Sequence, residues 1–234
     1  MKKILQHSFS YSGIVMSFLV LSLTSCVTTA TLQTARTTPK GKLGGGLGGS
    51  VVVTSETTEP IGGGDPQVPT ITLPLIYFNT PVMVRYGISN RLDIGVRFGG
   101  VSLPTLDAKY MLLGDHSSKT ALSVGASVGY ANFTDDTDNN SRISEFSVPV
   151  YASLYPVDWL ALYLTPRYIG RFDATLTNGG SGRGQVYQGW LGGTAGVRLG
   201  KRFGVVAEVS SFPVYNQNAY RLFEFSAGIN WNIR

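Results

Sequence analysis

The chain has 234 residues, enough for one large domain or two small ones, and only 14% of them are charged, below the share usual in a soluble domain. The formal net charge is +5, and Lys2 and Lys3 at the very start carry two of those charges, leaving +3, too mild to argue for nucleic acid. A single cysteine excludes an intrachain disulfide, and glycine is abundant at 29 residues.

Residues 1–25 read as a secretory leader. Lys2 and Lys3 form a short positive region, an apolar run follows from Gly13 to Leu23, and small residues lead into Cys26. The run is shorter than the roughly 20 apolar residues that a spanning helix needs. Leu23-Thr24-Ser25-Cys26 resembles the bacterial lipobox. That resemblance implies that Cys26 becomes the first mature residue and carries a diacylglyceryl and a fatty acyl group such as palmitate. Val27 after the cysteine, in place of Asp, resembles an outer-membrane address under the enteric sorting rule.

Residues 26–40 follow as a Thr-rich segment with little apolar content, expected to be a flexible tether. From Gly41 to residue 234 the pattern changes to period-two alternation. At 91–98, Leu92, Ile94, Val96 and Phe98 share one face and Arg91, Asp93, Gly95 and Arg97 the other. At 222–233, Phe223, Phe225, Ala227, Ile229, Trp231 and Ile233 alternate with Leu222, Glu224, Ser226, Gly228, Asn230 and Asn232. About ten such strands are expected, at 42–54, 74–88, 91–100, 105–113, 119–131, 142–155, 158–171, 185–199, 202–213 and 220–233. Most match or exceed the 9–11 residues that a tilted strand needs to cross a bilayer. No second apolar run is long enough for a membrane helix, so a spanning chain must close as a barrel, because open sheet edges are not tolerated in lipid. The expected fold is an all-β, antiparallel up-and-down transmembrane β-barrel.

Short turns at 89–90, 114–118, 156–157 and 200–201 alternate with longer connections at 55–73, 132–141, 172–184 and 214–219, and a shorter one at 101–104. Outer-membrane barrels show this asymmetry, with tight periplasmic turns and longer outer loops. An even strand count then puts both chain ends on the short-turn side, where the lipid on Cys26 is also expected. Aromatics fall near strand ends as girdle residues do: Tyr77, Phe78, Tyr110, Tyr130, Tyr155, Trp159, Tyr168, Tyr187 and Trp231.

Alternation alone does not say which face meets lipid, and a soluble, lipid-tethered barrel stays open as an alternative. The polar face carries Arg85, Arg91, Asp93, Arg97, Asp107, Lys109, Glu145, Arg167, Arg198, Glu208 and Glu224. Opposite charges in a narrow lumen are expected to pair. Barrels of about eight strands are filled by side chains, and open channels appear near sixteen.

Catalytic signals are weak. His7 lies in the leader, leaving His116 alone in the mature chain, on a short turn beside Asp115, Ser117 and Ser118. Members of a catalytic triad meet from separate segments, so adjacent turn residues are not one. Asp136-Thr137-Asp138-Asn139-Asn140 resembles the start of a calcium loop, but Ser141 and Ser147 stand where Gly and a bidentate Glu are needed. Gly44, Gly46 and Gly49 match a nucleotide-binding spacing without the strand–helix context it requires. No cofactor and no metal site are expected.

With these features in place, LTSC at 23–26, TLQTARTTPKGK at 31–42 and RYGISNRLDIGVRF at 85–98 resemble bacterial outer-membrane β-barrel lipoproteins of uncharacterised role. The resemblance implies a leader at 1–25, a tether at 26–40 and a barrel at 41–234, held in outer-membrane lipid. It implies no catalytic residue. The expected role is structural or surface-interacting, with a narrow small-solute channel as the alternative.

Overall fold

The computed structural model describes residues 29–55, 75–99, 102–134, 140–176, 183–214 and 220–232. Cys26, the leader and the Asp136–Asn139 part of the calcium-like segment lie outside them.

Eleven strand segments follow one another: β1 Leu43–Ser55, β2 Leu75–Asn79, β3 Pro81–Gly87, β4 Leu92–Gly99, β5 Ser102–Leu113, β6 Thr120–Thr134, β7 Asn140–Val157, β8 Leu160–Leu176, β9 Arg183–Leu199, β10 Phe203–Val214 and β11 Tyr220–Asn232. Each pairs antiparallel with its neighbour, and β1 also pairs with β11, which closes the sheet. Segments β2 and β3 lie against the same strand in one register, Ser50 opposite Asn79 and Leu47 opposite Val82, with only Thr80 between them. They are two halves of one stave, interrupted where Pro81 has no N–H to donate. The barrel therefore has ten staves, as the alternation predicted.

The burial pattern is inverted relative to a soluble protein. Along β3, Val82, Val84 and Tyr86 are exposed and Met83 and Arg85 are buried. The same holds around the wall: Leu106, Val128, Leu164, Val205, Phe225 and Ile229 face outward, while Asp107, Ser127, Thr165, Glu208, Glu224 and Asn230 face the lumen. A continuous apolar exterior of this extent is unfavourable in water and favourable in a bilayer. The soluble-barrel alternative is not compatible with this face. Exposed aromatics ring both ends, with Tyr86, Tyr110, Trp159 and Phe203 at the short-turn end and Phe78, Phe98, Tyr130, Phe172 and Tyr187 toward the other. Tyr155, expected in a girdle, points inward instead and is buried.

The long connections are shorter than expected because the strands run on past their predicted ends. β6 to β9 have 15 to 18 residues, more than a bilayer needs, and their pairing continues to Thr134↔Asn140 and Leu176↔Arg183. These staves project beyond the apolar band on the side away from the short turns. We call that side the loop end.

The outward face makes a first prediction. Leu106→Arg places a charge on the lipid side of β5 and is expected to destabilise the folded barrel by about 2–4 kcal/mol if it sits near the bilayer midplane. Denaturant unfolding in lipid vesicles, read by the heat-modifiable gel shift, measures this.

Candidate functional site: an occupied lumen

Residues 29–38 of the segment expected to be a flexible tether occupy the barrel interior. They run through the lumen, and Thr29, Ala30, Thr31, Leu32, Gln33, Ala35, Thr37 and Thr38 are all buried. The chain descends from Thr29 to the short-turn mouth and reverses there. Gly41, at φ 72°, takes the left-handed conformation that lets the Lys42 N–H reach the Pro39 carbonyl at 3.0 Å. β1 then climbs the wall in the opposite direction. We call residues 29–40 the arm.

The mouth is fitted to this reversal. The Gly41 N–H donates to the Gly87 carbonyl (2.8 Å), and the Gly87 N–H donates to the Lys42 carbonyl (3.0 Å). A β-carbon on Gly87 would lie 2.1 Å from the Pro39 carbonyl oxygen, so only glycine admits the arm at this distance.

Inside the barrel the arm's backbone meets side chains. Every wall strand is already paired on both sides, so no sheet edge is free to accept the arm as another strand. Two acids on β10 and β11 take its N–H groups. Glu224 accepts from the N–H and the hydroxyl of Thr29. Glu208 accepts from the N–H of Thr31 (2.8 Å), the N–H of Leu32 (2.6 Å), the Thr31 hydroxyl and the Tyr163 hydroxyl (2.6 Å). Lower down, Ser153 accepts from the Ala35 N–H (2.8 Å) and Asp93 from the Thr38 N–H (2.6 Å).

Donors on the wall take the carbonyls. Arg167 donates to Thr29, Arg97 to Ala30 (3.4 Å), Asn230 to Leu32 (3.1 Å) and Ser123 to Ala35. The Lys109 ammonium donates to the carbonyls of Thr34 (3.1 Å) and Arg36 (3.0 Å) and to the side-chain oxygen of Gln33 (3.3 Å). Arg36, the arm's own charge, donates to the Ser118 carbonyl (2.7 Å) and lies 3.5 Å above the Tyr155 ring.

One residue of the arm is in an unfavourable conformation. Leu32 has φ 49°, which costs a non-glycine residue about 1–2 kcal/mol. The kink brings two successive N–H groups onto the Glu208 carboxylate. It also buries the Leu32 side chain with Ala30, Met83, Tyr163 and Val206.

The predicted lumen charges fall into place with one exception. Arg85 bridges Asp93 and Asp107, Lys109 lies 3.9 Å from Asp93, and Arg97 lies 4.0 Å from Asp107. Arg198 donates to Asn230 (2.6 Å) near the short-turn mouth, and Glu145 faces Arg97 and Arg167. Arg91 is not a lumen residue. It lies in the exposed turn before β4, where the strand's alternation does not yet apply. Without it the wall list holds five positive and five negative groups.

Sequence reasoning missed Asn230, Tyr163, Ser123 and Ser153, which fall on the predicted polar or alternate faces but carry no formal charge. His116 sits in the short turn between β5 and β6. Its neighbour Asp115 accepts four hydrogen bonds from the N–H and hydroxyl groups of Ser117 and Ser118, at 2.7 to 2.9 Å. These bonds, those of Ser117 first, hold the Asp115 carboxyl well below the usual carboxylate range and close the turn. Gly44, Gly46 and Gly49 lie within β1, each paired with β11, and form no phosphate-binding turn.

No protein-family model and no curated protein sequence matches the chain. Among solved structures it is similar to Ail, the attachment invasion locus protein of Yersinia pestis, at 11% identity and a TM-score of 0.39, over 82% of this chain and 98% of that one. It is also similar to Neisserial surface protein A, at 11% and 0.40, over 82% and 97%. The outer membrane protease OmpT from Escherichia coli matches at 10% and 0.43, over 87% and 100%. These are likenesses of fold alone.

Two substitutions test how the arm is held. Glu208→Ala removes the acceptor shared by Thr31 and Leu32, each bond to a charged group being worth about 1.5–3 kcal/mol. Amide hydrogen exchange at these two residues is expected to accelerate at least about tenfold. The amides at the centre of β7 and β8 should keep their protection. Gly87→Ala is expected to give the same signature by displacing Pro39, with the barrel wall still closed.

Proposed function

We propose that the protein is an outer-membrane, lipid-anchored β-barrel that is closed by its own arm and serves a structural or surface-interaction role. The observation that carries this reading is the arm, whose backbone is satisfied in the middle of the lumen by wall side chains. The ten wall charges named above balance, five of each sign, and Arg171 pairs with Asp173 on the same face of β8; this adds to it, since a lining of balanced charge provides little field to select an ion. The apolar exterior and aromatic girdles support membrane residence, and the lipobox-like LTSC with Cys26 supports the anchor. In this reading Cys26 carries the only covalent modification, and the protein takes no cofactor or metal and binds no nucleic acid. It is not an enzyme: His116 and Asp115 serve a turn at the short-turn end.

A narrow solute channel is the second reading, favoured by one feature. Beneath the arm lies a vestibule of about 550 Å³ at the short-turn mouth, lined by Arg36, Lys42, Arg198, Lys201, Asp115 and Asp158. A solute path would then require the arm to withdraw.

Planar-bilayer recording separates the two. The intact protein is expected to be silent, and a variant lacking residues 29–39 is expected to give discrete conductance steps. Steps from the intact protein would overturn the closed reading in favour of the channel. For the anchor, Cys26→Ser is expected to abolish fatty-acid labelling while the barrel stays in the membrane fraction.

A further inference from the structure

The direction in which the arm lies has a consequence for the chain upstream of it. From the sequence, a lipid-bearing amino terminus is expected at the short-turn end. The arm instead enters the lumen at that end, at Gly41 and Gly87, and its upstream residue Thr29 is held at the level of Glu224 and Arg167. From Glu224 to the short-turn end of β11 at Asn232 is eight residues, about 26 Å of strand and about 20 Å of height at the usual tilt. From Glu224 to the loop end of β11 at Tyr220 is four residues, about 13 Å of strand and about 10 Å of height.

Cys26 is three residues upstream of Thr29, a reach of at most about 11 Å. That reach covers the distance to the loop-end rim where β10, β11 and β1 are short. It falls about 10 Å short of the opposite mouth. The wall offers no lateral exit, because β1 to β11 are hydrogen-bonded in a closed ring. The wall ahead of Thr29 carries one of the lumen's buried apolar clusters on the side of β1 and β8 to β11. Val52, Ile169, Trp190, Phe212 and Leu222 form a buried apolar cluster, and Arg167 links it to the arm by donating to Thr29 while lying 5.2 Å from the Phe212 ring.

We propose that the arm runs through the barrel and presents the mature amino terminus at the loop end, so that a lipid on Cys26 anchors the protein from that side. The lipid part rests on the lipid-anchored reading above; the path of the chain does not. In an outer membrane with its loops outward, the acyl chains then engage the outer leaflet or the cell exterior.

The experiment uses the full chain in intact cells with a membrane-impermeant maleimide. Thr28→Cys places a thiol next to the proposed exit, with the parent chain as background for Cys26. Cysteines introduced into the 56–74 connection and at Trp159 report the loop end and the short-turn end. The expected result is that Thr28→Cys labels together with the loop-end reporter, before the outer membrane is permeabilised. Labelling of Thr28→Cys only together with Trp159→Cys overturns the proposal. An epitope inserted between Val27 and Thr28, read by antibody on intact cells, repeats the test independently of thiol chemistry. Metabolic labelling with a fatty-acid probe on the same samples reads lipidation separately: its absence removes the anchor and leaves the path of the arm standing.

Discussion

A closed barrel has no edge, and this single constraint shapes the interior. Any segment placed in the lumen brings backbone N–H and C=O groups that the wall strands cannot pair with, because their own ladders are complete. Side chains must do the work instead. The structure meets that demand from two sides. Acids on β10 and β11 receive N–H groups, while Arg97, Lys109, Arg167, Asn230 and Ser123 donate to carbonyls. The lumen charges are therefore substitutes for a sheet edge as well as partners for one another.

The same constraint explains how the charges divide. On the wall around β3 to β5, Arg85, Arg97 and Lys109 outnumber Asp93 and Asp107. Lys109 lies within ion-pair distance of Asp93, and its three hydrogen-bond acceptors all belong to the arm. Across the lumen, Glu208 has two N–H donors and a hydroxyl from the arm where a cation would otherwise be needed. Burying an uncompensated charge is costly, so the arm between them stabilises both walls. The strained φ of Leu32 is tolerated for the same reason, since the kink lets one carboxylate serve two amides.

The fold was largely legible in the sequence because a period-two pattern states the two environments of a strand directly. Phe223, Phe225 and Ile229 against Glu224, Ser226 and Asn230 specify β11 without further information. The direction of the faces was less legible: outward apolar and inward apolar strands have the same alternation, and only the small and charged residues of the polar face and the aromatics near strand ends leaned toward the membrane. Arg91 was misplaced because the pattern extends one residue into a turn. The arm was not legible. Thr29 and Thr31 find their partners 195 and 177 residues away, and a hydroxyl-rich run with few apolar residues looks the same in water as in a polar lumen. A signal did exist in the pairing of charges. Glu208 and Glu224 fall on the polar faces of adjacent strands, and hydroxyl groups spaced two apart at Thr29 and Thr31 match them.

The arm also couples the last step of folding to the first part of the chain. It is joined to β1 through Gly41, and β1 closes the barrel against β11, the final strand. The acids that receive the arm, Glu208 and Glu224, lie on β10 and β11. Before β11 docks, these carboxylates are solvated; once the ring closes they lose water and need the arm's amides at that moment. A barrel that closed without the arm would leave Glu208 only the Tyr163 hydroxyl and Lys109 only Asp93, whereas an arm already folded back at Gly41 supplies the remaining partners as β1 and β11 meet. Closure and lumen filling are in this sense one cooperative event, because neither the charged wall nor the buried backbone is satisfied without the other.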